Sequence, residues 1–284
     1  MKILVTGATG FIGNHVINQL LKKGHDVIAT GRYKEKASNF LWFDKVEFIE
    51  FDISKTTGQH DLYSYFNSPD LLIHLAWEGL PNYNELFHIE VNLFQQYNFL
   101  KNIIKGGLKN VTVTGTCLEY GLQNGSLHES LYSMPQNPYS IAKDSLRKFI
   151  EILNCKYTFS LKWVRLFYMY GEGQNKNSIL PLLQKAIDAN EGEFKMSGGE
   201  QLRDYLSIEK VAENIMAIAM QDSISGIINC CSGNPISVRR LVEDYIEKTN
   251  SSIKPALGHF PYPAYEPMAF WGDPAKLKKI ISSL

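Results

Sequence analysis

Tyr139 and Lys143 stand four residues apart in the stretch NPYSIAKDSLRKF. On a helix that spacing puts a phenol and an ammonium on one face, one turn apart. The pair reads either as a partly buried aromatic beside a surface cation or as a proton donor whose acidity a neighbouring cation tunes. QYNFLK repeats the spacing with Tyr97 and Lys101, and one site can use only one of the two pairs. A second stretch, KILVTGATGFIGNHVINQLL, sets Gly7, Gly10 and Gly13 between a strand pattern and a helix pattern, with Phe11 and Ile12 inside the turn. Glycine there lets the chain bend, lets a pyrophosphate reach the backbone and lets helix pack on strand. The helix N-terminus then offers unpaired N–H groups to phosphate. These residues predict a dinucleotide site.

At the end of the second strand pattern, DVIATGRYKEK, a cofactor with a free ribose 2′-hydroxyl usually meets a carboxylate. Here Gly31 is followed by Arg32, with Lys34 and Lys36 close behind. Cations in that place suit a 2′-phosphate, which favours NADP(H) over NAD(H); the plainer reading is that Arg32 stacks on adenine. Asp52 and Ile53, in FDIS after the third strand pattern, are placed against adenine, the alternative for Asp52 being a solvated loop aspartate.

The frame for these groups is written in alternating runs. KILVT, DVIAT, VEFIEF, LLIHL, VTVTG, LKWVRLF and IINCC read as strands, several apolar at nearly every position, as when helices cover both sheet faces. Helical spacing falls near 12–23, 87–105, 139–153 and 208–221, with Gly24 ending the first. Asp273 and Pro274 start a last helix, AKLKKII. This alternation predicts an α/β fold with a doubly wound parallel sheet of Rossmann type. After LKWVRLF, the runs YGEGQNKNSILPLL and GHFPYPAYEPMAFWGDP have the Gly, Pro, Asn and aromatic texture of site-forming loops. The predicted division is a cofactor domain of residues 1–167 and 204–232 and a smaller substrate-binding lobe of residues 168–203 and 233–284.

With 284 residues, 44% of them apolar and 20% charged, and a net charge of zero, the chain has the make-up of a soluble globular protein. The lack of a basic tract argues against nucleic acid or an anionic membrane as a partner. No apolar run reaches membrane-spanning length, and MKILVTG is broken by glycine too soon for a signal peptide. Cys117, Cys155, Cys230 and Cys231 lack metal-ligand spacing, so no metal is expected and the thiols read as reduced, in a cytoplasmic protein.

Taken together, the glycine turn, the Tyr139/Lys143 pair and LRDYL resemble the extended short-chain dehydrogenase/reductase family that acts on nucleotide sugars. The likeness covers nearly the whole chain, with TGATGFIG, LLIHLAW, VNLFQQYNFL, VTVTGTCLEYG and PYSIAK in family order. That order assigns Tyr139 and Lys143, not Tyr97 and Lys101, to the active site. The resemblance implies that Thr116, four before Tyr120, is the catalytic hydroxyl beside Tyr139, and that Lys143 binds the nicotinamide ribose and lowers the Tyr139 pKa. It also implies Leu75, Ala76 and Asn92 as cofactor neighbours. Arg203 becomes a ligand of the substrate diphosphate, the alternative being a salt bridge with Asp204 or Glu200. Asn177 and Ser178 fall in the loop around the nucleotide. A nucleotide-sugar substrate and a homodimer through two helices complete what the resemblance implies.

The family holds 4-epimerases, 4,6-dehydratases, epimerase-reductases and ketoreductases. A dehydratase of this family has an Asp-Glu pair directly after its catalytic threonine, where this chain has Cys117 and Leu118. Epimerase-reductases place a cysteine where Leu118 stands; Cys117, one position off, is expected on the other strand face, packed. A retaining NAD-dependent 4-epimerase commonly has an acid in place of Gly31 and asparagine in place of Tyr168. The expected activity is therefore NADPH-dependent reduction of the 4-keto group of a nucleotide-activated 4-keto-6-deoxyhexose, in deoxysugar biosynthesis for surface polysaccharide. A 4-epimerase is the second reading, and an NADP-binding regulatory protein the non-enzymatic one. Glu119 is grouped with the substrate residues, its side chain toward either the sugar or solvent.

Overall fold

Runs that are apolar on both faces can be strands only where both faces are covered, and this chain covers them with helices. The computed structural model describes residues 1–56, 61–262 and 267–283; residues 263–266 of the expected aromatic loop GHFPYPAYEPMAFWGDP lie outside these. The first half contributes β1 (Lys2–Thr6), α1 (Phe11–Lys22), β2 (Asp26–Gly31), α2 (Lys34–Ala37), β3 (Glu47–Glu50), α3 (Leu62–Tyr65), β4 (Leu71–His74), α4 (Leu93–Gly106), β5 (Asn110–Thr116), β6 (Gly125–Leu127) and α5 (Pro138–Leu153). Then follow β7 (Ser160–Leu166), β8 (Tyr168–Tyr170), α6 (Ile179–Asp188), β9 (Glu193–Lys195), β10 (Leu202–Ser207), α7 (Ile208–Met220), β11 (Gly226–Cys230), β12 (Pro235–Ser237), α8 (Val238–Lys248), β13 (Lys254–Ala256), β14 (Phe270–Gly272) and α9 (Ala275–Ser282).

All seven strand patterns of the sequence enter one parallel sheet in the order β3-β2-β1-β4-β5-β7-β11. The order reverses between β1 and β4, and such a switch point opens a crevice at the carboxyl ends of the strands. Thr6, the last residue of β1, lies beside Thr30 on one side and His74 on the other. Along β1 the side chains alternate: Ile3 and Val5 enter a core with Val16, Ile17 and Val211, while Leu4 enters the opposite core with Phe99, Ala142 and Leu146. Leu277 and Ile280 of α9 also lie in the first core. The last helix thus packs on the cofactor domain, although the sequence division put residues 233–284 in the smaller lobe. Helices α6 and α8 build a separate core of Leu180, Leu183, Phe194, Met196 and Val242.

Helix ends set the site residues. Lys23 caps α1 and Gly24 follows at φ +75°, as its position in the sequence predicts. Before α5, the Asn137 side chain accepts from the Ser140 N–H at 2.9 Å, and Pro138 opens the helix, which fixes Tyr139 in its first turn. The helix expected over 87–105 begins instead as a π-helical turn, His88–Asn92, before α4 takes over. Cys230 and Cys231 face different clusters, and no disulfide occurs among the described residues. No helix among them is long and apolar enough to cross a membrane.

Candidate active site

The glycine turn is built for close approach. Gly7 has φ +67°, and a Cβ there would sit 2.9 Å from the Ala76 nitrogen; one on Gly13 would run into the Gly7 carbonyl. Gly10 caps α1 without a side chain, and no acidic residue occupies the first helical turn, so the positive end of the helix dipole is uncompensated. A cleft of about 260 Å³ extends from this turn, lined by Gly7, Gly10, Leu75 and Ala76 at one end and by Arg32, Asp52 and Ile53 at the other. This shape, with bare backbone facing a helix N-terminus, fits the pyrophosphate of a dinucleotide. Phe11 and Ile12 do not line the cleft; Phe11 meets His15 edge-on and both pack toward the sheet core. Asn92 is buried off the cleft, where its Nδ2 donates to the Glu78 carbonyl at 3.0 Å. The π-helical turn draws Asn92 beneath the loop after β4, so it positions that loop rather than lining the cofactor groove.

Thr116, Tyr139 and Lys143 meet where β5 and α5 approach each other. The hydroxyls of Thr116 and Tyr139 are brought near each other, close enough for Thr116 to favour the ionised phenol. Thr116 Oγ1 also accepts from the Leu118 N–H at 3.3 Å, so the local cap and the active-site contact are made by one hydroxyl. Burial pushes the Tyr139 phenol well above its ordinary value, and Tyr83, Glu119 and Cys117 add to that, with Thr116 opposing. The sequence expectation that Lys143 lowers this pKa is not met. Lys143 Nζ donates to the Thr114 carbonyl at 2.9 Å and sits 4.1 Å from the centroid of the Trp77 ring. Burial in turn lowers Lys143 to about 7, with Glu119 opposing. Between about 7 and the ordinary 10.5, the unfolded chain holds a proton that the folded one has lost, so stability rises with pH across that window. The penalty for burying the ammonium is therefore complete below about pH 7. Lys143→Met is expected to be more stable than wild type at about pH 6, with the gap narrowing by about pH 9.5 in urea titrations. A gap independent of pH would contradict a buried, titrating ammonium.

Glu119 faces neither sugar nor solvent. It is fully buried, with Arg165 Nε at 2.8 Å, Trp163 Nε1 at 2.9 Å and the Thr116 N–H at 2.9 Å. Assignment to the substrate residues is corrected accordingly: the chain turns into a helical turn, Cys117–Tyr120, and Thr116-x-x-Glu119 forms a capping box that swings the carboxylate inward. The same turn means that strand alternation does not govern Cys117; it packs with Tyr120, Leu127 and Phe167. Arg203 is also buried, its Nη1 donating to the Leu202 carbonyl at 2.9 Å and its guanidinium 4.6 Å from the Phe270 ring centroid. Asp204, the expected alternative partner, accepts from the Ser232 and Gly233 backbones instead. Asn177 donates its backbone N–H to Asn175, and Ser178 precedes α6 without capping it by side chain.

Several residues of the site escape the sequence reading. Trp77 follows Ala76 directly and donates from Nε1 to His88 Nδ1 at 3.0 Å. Tyr83 and His88 pack with the Tyr139 ring, at 5.4 and 5.3 Å between centroids. An aromatic placed just past a strand end was the available signal for Trp77; the π-helical turn carrying His88 leaves none in the sequence.

A proton donor buried beside a dinucleotide-shaped cleft at a sheet switch point defines a nicotinamide-dependent oxidoreductase of the short-chain type. Comparison makes the assignment specific: the sequence profile of the NAD dependent epimerase/dehydratase family matches residues 3–231, and the chain belongs to that family. It is similar to dTDP-6-deoxy-L-talose 4-dehydrogenase (NAD(+)) of Aggregatibacter actinomycetemcomitans, at 35% identity over 96% of this chain and 99% of the relative. It is 23% identical to dTDP-4-dehydro-6-deoxyglucose reductase of Escherichia coli over 87% of this chain and 82% of that one. The fold is that of UDP-glucuronic acid 4-epimerase from Bacillus cereus, solved with UDP-glucuronic acid and NAD (TM-score 0.84, 23% identity, 99% and 93% of the two chains).

Proposed function

We propose that this enzyme interconverts the 4-keto and 4-hydroxyl forms of a nucleotide-activated 6-deoxyhexose with an exchangeable nicotinamide cofactor, working in the cytoplasm as a 4-ketoreductase in deoxysugar biosynthesis for surface polysaccharide. The observation that carries this reading is the burial together of Thr116, Tyr139 and Lys143, with Lys143 Nζ on the Thr114 carbonyl at 2.9 Å. Tyr139, held protonated by burial, gives its proton to the sugar O4, and Thr116 binds the same oxygen. The cofactor, when bound, supplies or accepts the hydride. In this reading Lys143 would bind the nicotinamide ribose, and Arg203, Asn177 and Ser178 of the smaller lobe would serve the nucleotide diphosphate. Glu119, the acid nearest Thr116 in sequence, is held by Arg165, which leaves it unsuited to the acid–base steps of a dehydratase. Among the relatives, the names 4-dehydrogenase and 4-dehydro-sugar reductase describe this C4 redox step from its two ends.

At the adenosine end, Arg32 and Lys36 would receive the 2′-phosphate of NADP(H), but Glu78 already holds Arg32. A homodimer through α4 and α5 belongs to the same reading, since their outer faces expose Phe94, Phe149 and Ile152. The test of the activity is a screen of nucleotide 4-keto-6-deoxyhexoses with NADH and NADPH. One cofactor oxidised per sugar reduced is expected by absorbance. Equilibration of two sugars with no net cofactor loss would select the 4-epimerase instead.

A further inference from the structure

We propose that Glu78 is the cofactor selector of this enzyme: it supplies from the loop after β4 the carboxylate missing at the end of β2, and makes the site prefer NAD(H) over NADP(H). The proposal rests on reading the cleft as the dinucleotide site. Arg32 Nη1 lies 2.6 Å from Glu78 Oε1, an ion pair spanning from the end of β2 to the loop after β4. Both residues line the cleft at the end shared with Asp52, where an adenosine ribose reaches once the pyrophosphate sits on the glycine turn.

The Glu78 backbone is anchored. Asn92 Nδ2 holds its carbonyl at 3.0 Å, and the preceding Trp77 is tied to His88 at 3.0 Å. The carboxylate is thus presented from a braced loop, although its side chain remains 56% exposed and that of Arg32 47% exposed. An exposed pair of this kind is weak as a stabilising contact, so its consequence lies in what it does to an incoming ligand. A ribose 2′-hydroxyl can donate to the Glu78 carboxylate while Arg32 stays paired. A 2′-phosphate must instead take Arg32 from Glu78 and then stand beside a bared carboxylate. Roughly two negative charges facing one at about 6 Å in water amount to about a tenfold penalty. Lys36 partly offsets that repulsion and Asp52 adds to it, so the four side chains leave no net positive charge at this end of the cleft.

The test is direct binding of NAD⁺ and NADP⁺ to the purified full chain by calorimetry, with no sugar present. Wild type is expected to bind NAD⁺ more tightly. Glu78→Gln should tighten NADP⁺ about tenfold and bring no gain for NAD⁺, whose 2′-hydroxyl loses a charged acceptor, and Glu78→Gln/Arg32→Ala should lose the NADP⁺ gain. Because the repulsion is at the surface, wild-type discrimination should also shrink as salt is raised from about 0.05 to about 0.5 M. An unchanged NAD⁺/NADP⁺ ratio in Glu78→Gln, or a wild type already favouring NADP⁺, overturns the selector role while leaving the cleft assignment standing. Failure of wild type to bind either dinucleotide overturns both.

Discussion

Tyr139→Phe is expected to lower kcat on a nucleotide 4-keto sugar by about 10²- to 10⁴-fold, the range a positioned general acid supplies. Dinucleotide binding should stay within about threefold, because the change removes one hydroxyl and no ring. The ring contacts of Tyr139 with Trp77, Tyr83 and His88 are made by its carbon skeleton, so phenylalanine keeps them and the fold survives. What is lost is the phenolic proton beside Thr116. Burial, the first cause of the raised phenol, keeps that proton in place across the working pH range, which suits a donor to a carbonyl oxygen. Tyr97→Phe is the internal control. Tyr97 has the same spacing to Lys101, whose Nζ lies 5.6 Å from its ring centroid, yet it packs against Phe149 on the outer side of α4. It should leave kcat untouched. A Tyr139→Phe enzyme turning over at the wild-type rate would remove Tyr139 from the proton path.

The contrast between those two tyrosines shows where sequence is legible. Spacing alone makes them equal; motif order chooses Tyr139, which is buried with Thr116 and Lys143, whereas Tyr97 packs on Phe149. The seven strands were readable because covering both faces of a parallel sheet demands unbroken apolar runs, and the glycine turn because it needs positions where no Cβ fits. Side chains whose partners are distant in sequence were not readable. Glu119 shows no partner in its own stretch of sequence, since Trp163 and Arg165 lie 44 and 46 residues away. One local signal did exist, the Thr116-x-x-Glu119 capping pattern, and it would have turned the carboxylate toward the backbone. Arg32 illustrates the opposite case. It follows β2 and lines the cleft, but the 46-residue jump to Glu78 changes what a cation there can do. In α8 the apolar positions Val238, Leu241, Val242 and Tyr245 follow helical spacing, a signal as local as the four helical stretches that were expected, although α8 is not among them.

Glu119→Ala is expected to cost about 3–5 kcal/mol of stability, the range for breaking a buried ion pair from one side. Three donors lose their acceptor at once: Arg165 Nε, Trp163 Nε1 and the Thr116 N–H. Arg165 is itself fully buried, and its Nη1 already lacks a hydrogen-bond partner, so the stranded guanidinium keeps Ser133 Oγ at 2.8 Å and the neighbouring Tyr120, whose ring lies 4.2 Å away, but no anionic partner at Glu119. Urea midpoints in wild type and variant read the loss. Pairing Glu119→Leu with Arg165→Met should cost less than either change alone, because removing both charges leaves neither desolvated without a partner. Glu119→Gln separates stability from chemistry: an amide oxygen still accepts from the Thr116 N–H and preserves the capping box. If the carboxylate serves to hold the Thr116 turn, this variant should keep most of its kcat while losing stability. A Glu119→Ala protein within about 1 kcal/mol of wild type would mean that water or a rearranged Arg165 replaces the pair, and that the floor beneath Thr116 is not built on it.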